Sequence, residues 1–151
     1  MSVVAMSGSD TIKINNRILA DLGEGDTVTL TFPNELAGIK TGKNGNSIYS
    51  INESGRQSEV AIRVIKGSSD DKFLSNLLAT MKNNFAGFVL VTGEFIKKIG
   101  DGTGKIISDT YIMSGGIFSK EVEAKSNVEG AVEQSISVYT IKFANSPRVI
   151  E

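Results

Sequence analysis

Apolar and polar positions alternate along several stretches of this chain and follow a helical period along only one. Residues 27–32 put Val28, Leu30 and Phe32 on one face and three threonines on the other, the signature of a half-buried strand that Pro33 ends. Residues 59–66 do the same with Val60, Ile62 and Val64. Residues 11–14 and 17–20 alternate around Asn15 and Asn16, which predicts a small hairpin with a two-residue turn at positive φ. Residues 88–99 and 105–114 flank the sequence Gly-Asp-Gly-Thr-Gly at 100–104 and predict a long hairpin, with a bulge or bend at Gly115 and Gly116. Residues 135–143 predict a last strand. Its apolar residues change face between Val138 and Ile141, as in a strand covered by different neighbours at its two ends.

The helical period runs from about residue 69 to 85. Ser68 or Ser69 can cap the free amides, and Asp70 and Asp71 stand in the first turn, where the helix dipole favours anions. Phe73, Leu74, Leu77, Leu78, Met81 and Phe85 recur on one face, and Asn83, Asn84 and Gly87 end the helix. The chain offers no second helix to receive that face, so Phe73, Leu74, Leu77, Leu78 and Met81 are expected to pack helix against sheet. The fold class is therefore mainly β: antiparallel strands with one flanking α-helix. Residues 1–10 read as a flexible arm and residues 34–57 as a long mobile loop, with the polar, glycine-rich 41–47 at a hairpin-like tip. A further turn is expected at 23–26. The whole of 1–151 reads as a single domain, and its many strands leave sheet edges open to another chain.

Bulk properties narrow the function. A chain of 151 residues can bury about 70 % of the surface its unfolded form exposes, so it needs no staples. With 40 % hydrophobic and 22 % charged residues it has a soluble globular composition. The net charge of -1 supplies no overall basic field to capture nucleic acid. Histidine and cysteine are both absent, which rules out Ser-His-Asp and Cys-His catalysis, disulfides and the commonest metal ligands. No basic leader precedes an apolar run, and the apolar stretch near Phe88 is far below a membrane span, so cytoplasmic synthesis without a membrane anchor is expected.

The remaining candidates are weak. The loop 100–105 imitates a phosphate loop, but Ile99 stands at the first glycine position, Ile106 follows Lys105, and strands flank it on both sides. Lys105 also falls where a calcium loop needs an oxygen ligand. Asp70 and Asp71 diverge on a helix and serve better as caps than as a metal pair. Glu121, Glu123, Glu129 and Glu133 form the main acidic cluster, without a partner base or oxyanion loop, and read as a charged stripe. Lys40, Lys43, Arg56 and Arg63 lack aromatic interleaving apart from Tyr49, which weakens a single-stranded nucleic-acid reading. Asn52 to Ser54 matches a glycosylation sequence that means little without secretion. No enzyme, cofactor or metal is expected.

Several stretches carry a resemblance. Gly55-Arg56, Glu59-Val60, Ile62 to Val64 and residues 67–74 look like the tail tube proteins of contractile-tailed bacteriophages, in the Hcp-like tube superfamily. So do residues 111–116 with Phe118, residues 127–130, Glu133 and residues 139–144. The set spans about residues 9–150, and none of it is catalytic. The resemblance implies a β-sandwich or partial barrel with one flanking helix. It implies a structural subunit that partners itself in six-fold rings, the rings stacking into a hollow tube inside a contractile sheath. It further implies contacts with sheath, tape measure, baseplate and tail terminator proteins, DNA passing through the lumen without specific binding, and a place in the virion tail after assembly in the host cytoplasm. By the same analogy the loop with Lys40, Lys43, Asn44, Asn46 and Arg56 is the candidate ring-stacking element, with the N-terminal arm another. Thr27, Thr29 and Thr31, or Ser108 and Thr110, are candidate lumen faces. Alternatives are an Hcp-like secretion-tube subunit and a monomeric β-barrel binding module.

Overall fold

The computed structural model describes residues 2–5, 10–22, 28–100, 103–104, 106–125 and 136–150. Asn15 and Asn16 both adopt positive φ (50° and 66°) and turn β2 (Thr11–Ile14) directly into β3 (Arg17–Ile18). This is the two-residue turn that matches the twist of the strands it joins. The turn is tied to its neighbour, because Asn15 Oδ1 accepts the amide of Thr92 at 3.0 Å. β1 is Ser2–Ala5, β4 Val28–Phe32, β5 Ala37–Thr41, β6 Ser47–Ile51, β7 Ser58–Ile65, β8 Val91–Gly100, β9 Ile106–Phe118, β10 Glu123–Lys125, β11 Ile136–Asn145 and β12 Arg148–Ile150. The helix α1 is Ser69–Asn83.

One antiparallel sheet runs β1-β4-β7-β11-β9-β8-β2-β3, with β10 beside β11 and β12 beside β9. The sheet then curls onto itself. After β3, at one end of this order, Leu22 bridges Val64 of β7, and Asp21 O accepts the amide of Ile65 at 2.9 Å. That contact lies on β7 beyond Ile62, the last residue of β7 described as pairing with β4. The inward residues of six strands, among them Ile12, Leu30, Ile62, Phe95, Met113 and Ile141, fill the interior. Ser68 caps α1 by accepting the amide of Asp71, and the helix lays Leu74 and Leu78 into the core, with Phe73, Leu77 and Met81 half-buried against it. The mainly β fold with one flanking helix is the architecture the pattern predicts.

Several boundaries differ from the sequence expectation. The helix stops at Asn83, and Phe85 lies beyond it in a turn, 65 % exposed. Asn84 makes the last helical bond, its amide to Thr80 O, then leaves the helix at φ -147° and ψ 75°, and its side chain accepts the amide of Gly87. Residues 88–90 precede rather than belong to β8. Within the expected flexible arm, Ser2–Ala5 pairs with β4, whose outer edge would otherwise stand open. Within the expected loop 34–57, β5 and β6 form a two-stranded ribbon followed by a 3-10 turn at Glu53–Arg56. β9 continues past the two glycines. Gly115 takes φ 67°, and with Ser114 it faces the single residue Thr92, a bulge that preserves both neighbouring ladders. At Gly116 a Cβ would lie 2.6 Å from the Phe143 ring, so only glycine lets β11 lie this close. Expected features at Thr27, at 23–26, at 126–130 and at Asp101, Gly102 and Lys105 fall outside the described residues.

Candidate assembly surface

Among the described residues the β5–β6 ribbon pairs with nothing but itself. Its register sets Ile39 opposite Tyr49 and Ala37 opposite Ile51, so these four share one face, while Lys40 and Ile48 lie on the other. Every residue from 39 to 53 is exposed, Tyr49 at 74 %. The tip is a tight turn in which Gly42 N donates to Asn46 O at 2.8 Å and Gly45 takes φ 83°. Lys43, Asn44 and Asn46 gather there, all exposed, with Lys40 nearby on β5. Arg56 is at the opposite end, at the foot of the ribbon, where it pairs with Glu53 at 3.4 Å. The foot is clamped: Asn52 N donates to Leu36 O at 2.7 Å, and a Cβ on buried Gly55 would meet Leu36 Cα at 2.6 Å. Asn52 is itself engaged, its side chain accepting both the amide and the hydroxyl of Ser54.

Beside the foot lies an open cleft of about 630 Å³, walled by Phe32, Leu36, Tyr111, Pro147 and Arg148 among others. Tyr111 anchors it, with ring centroids 6.1 Å from Phe32 and 6.4 Å from Phe95. Arg148 of β12 reaches across to hold Asp109 through two bonds of 2.7 Å, and its guanidinium lies 5.9 Å from the Tyr111 ring centroid. Burial and then the Asp109 charge push the Tyr111 hydroxyl above its ordinary range, against the opposing pull of Arg148. A shallower groove of about 520 Å³ runs along the ribbon face past Ile39, Tyr49 and Ile51. Leu36 lines both, so cleft and groove are contiguous.

The charged candidates are dispersed. Glu121 is held by Lys82 at 2.7 Å, and that hydrogen bond keeps its carboxyl below the usual range. Glu123 sits on β10 opposite Val138, and Glu129 and Glu133 lie outside the described residues. Arg63 is on β7, opposite Val138 within the sheet, and forms no cluster with the ribbon lysines. Among the described residues no group of three acidic side chains could hold a metal ion. β8 ends at Gly100 and β9 begins at Ile106, so strands rather than a strand and a helix stand on the two sides of the 100–104 sequence. Thr29 and Thr31 alternate with buried Val28 and Leu30, and Ser108 and Thr110 alternate with buried Asp109 and Tyr111, so both pairs lie on the face turned away from the core.

Asp70 and Asp71 do more than cap. Asp70, 2 % exposed, accepts the amides of Ala20 and Asp21 at 2.7 Å each and Arg17 Nε at 3.1 Å. It thereby fixes the segment that closes the barrel. Asp71 accepts the Tyr139 hydroxyl at 2.6 Å and the Gly67 amide at 2.8 Å. The bond to Gly67 is local to the helix start, but the bonds to Arg17, Ala20, Asp21 and Tyr139 leave no trace in spacing, because those partners are distant in sequence. The ribbon face did leave one, an alternation through Ala37 and Ile39 about Gly38 and through Tyr49 and Ile51 about Ser50.

No family model and no curated protein matches this chain in sequence. In structure it is similar to a chain of an extracellular contractile injection system, the PVC sheath–tube complex in its extended state. The TM-score is 0.58 at 10 % identity, covering 94 % of this chain and 87 % of the other. The fold is thus shared with a component of a contractile injection system over nearly its whole length.

Proposed function

We propose that this protein is a non-enzymatic tube subunit of a contractile injection system, of the phage-tail kind. In this reading the subunits form six-fold rings, and the rings stack into a hollow tube inside a sheath. The observation that carries it is the near end-to-end likeness to a chain of a sheath–tube complex. Two features of the chain support it. The ribbon is a separate two-stranded sheet exposed from residue 39 to residue 53, and an isolated two-stranded hairpin is marginal in water without something to pack on. The net charge of -1 suits a conduit through which DNA slides without being held. Lys40, Lys43, Asn44 and Asn46 at the ribbon tip are the proposed ring-stacking contacts, with Arg56 at its foot. Sheath, tape measure, baseplate and terminator proteins are the proposed partners, and a virion tail or a phage-derived particle is the proposed location. Sedimentation velocity over a concentration series tests this. Growth of a ring-sized species and then larger ones is expected, and a monomer at every concentration, with or without an initiating complex, would speak against it.

A further inference from the structure

Two uncovered apolar surfaces on this chain match one another. One is the contiguous surface of cleft and ribbon, where Leu36, Ile39, Tyr49 and Ile51 are each more than half exposed. The other is the segment 85–90, Phe-Ala-Gly-Phe-Val-Leu, six residues without a charge between α1 and β8. Its Phe88 turns toward the core, while Phe85, Val89 (83 %) and Leu90 (53 %) face solvent. Monomeric proteins rarely leave contiguous apolar patches larger than a few hundred Å² uncovered.

We infer that segment 85–90 of one copy docks into the cleft and ribbon groove of a second copy, which names the contact by which the proposed tube subunits join. This rests on the tube-subunit reading. The polarity of the two surfaces agrees. The cations on the cleft wall, Arg56 and Arg148, are already held by Glu53 and Asp109, Glu35 on the same wall is exposed, and Lys40 lies on the opposite face of the ribbon. Covering the groove therefore strands no lone cation away from water. The segment brings no charge of its own. Donor and acceptor are different parts of the same chain, so every copy carries one of each. Such a contact is heterologous and continues head to tail, closing into a ring or extending as a filament rather than stopping at a symmetric dimer.

The size of the contact sets its strength. Seven side chains at roughly 100 Å² each present about 700 Å² of apolar surface over both partners, short of the roughly 1,000 Å² that a lone specific interface buries. A single contact is weak, and an assembly holds because each copy engages more than one neighbour.

The absence of cysteine makes the test clean. The full chain carrying both Tyr49→Cys and Val89→Cys, two exposed positions, is treated with a short bis-maleimide at the concentration where the parent protein assembles. A ladder of covalent oligomers is expected, with isotope-mixed samples showing position 49 of one copy joined to position 89 of another. Particles in the electron microscope without that link would overturn the docking and leave the tube reading standing. Neither particles nor link would overturn both. A link confined to single copies would also overturn the docking. As a second measure, Val89→Asp should raise the assembly concentration at least tenfold without changing the far-ultraviolet spectrum, and an unchanged assembly concentration would count against the docking.

Discussion

Asp70 Oδ2 accepts the backbone N–H of Asp21 at 2.7 Å, joining the first turn of the helix to the strand segment that closes the barrel. The same oxygen takes the amide of Ala20, and Oδ1 takes Arg17. Replacing Asp70 by Ala leaves two amides and a guanidinium without their acceptor. The expected cost is about 2–4 kcal/mol, chiefly for the two amides, since the partly exposed Arg17 can turn to water. Urea unfolding measures it. A loss under 1 kcal/mol would mean that the seam holds without the carboxylate.

Tyr139, 2 % exposed, donates its hydroxyl to Asp71. Burial first, then the bond to Asp71, hold its proton well above the ordinary tyrosine range near 10. A group whose proton is held more tightly in the folded state contributes stability that is intact below the unfolded value and lost as pH rises toward the folded one. Stability should therefore be independent of this group below about pH 10 and fall above it. Tyr139→Phe should flatten that alkaline limb and, at neutral pH, cost about 1–2 kcal/mol for the lost donor to Asp71. Denaturant unfolding at pH 8 to 11 with both proteins reads the difference, and identical alkaline limbs would refute the assignment.

Gly116→Ala places a methyl 2.6 Å from the Phe143 ring and 2.8 Å from Val91 O. Backbone on one side and a core aromatic on the other leave it nowhere to go, so a loss of about 2 kcal/mol is expected. For a chain of this length that lowers the thermal midpoint by roughly 4–8 °C. An unshifted midpoint would show that β9 and β11 can move apart freely.

Along α1, Leu74→Ala should cost about 2–5 kcal/mol, as for a fully buried leucine. Leu77, half-buried at the rim of the same face, should cost clearly less. Equal losses at the two positions would contradict the seating of the helix.

The parts of this fold legible in the sequence are those whose burial is periodic. Val28 and Leu30, then Val60, Ile62 and Val64, then Leu74 and Leu78, each repeat at the spacing their element requires, and each set is buried. The asparagine turn could be read for the same local reason. The closure of the barrel could not. Leu22 meets Val64 and Asp70 meets Asp21 across more than forty residues of chain, and no spacing rule reports such contacts. β12 is three residues long after Pro147, too short for alternation to register. The ribbon was hidden for a different reason. Alternation normally signals a strand with one face on a core, whereas Ile39 and Tyr49 alternate with nothing beneath them among the described residues. The candidate assembly surface is legible only as that contradiction, apolar residues patterned for burial and left uncovered.

Negative-stain electron microscopy of the purified protein across a concentration series shows whether this chain builds a tube. Rings with a central channel, lengthening into hollow tubes as concentration rises, are the expected images. Uniform small particles at every concentration, unchanged by an initiating complex, would contradict a tube subunit and leave a monomeric binding domain in its place.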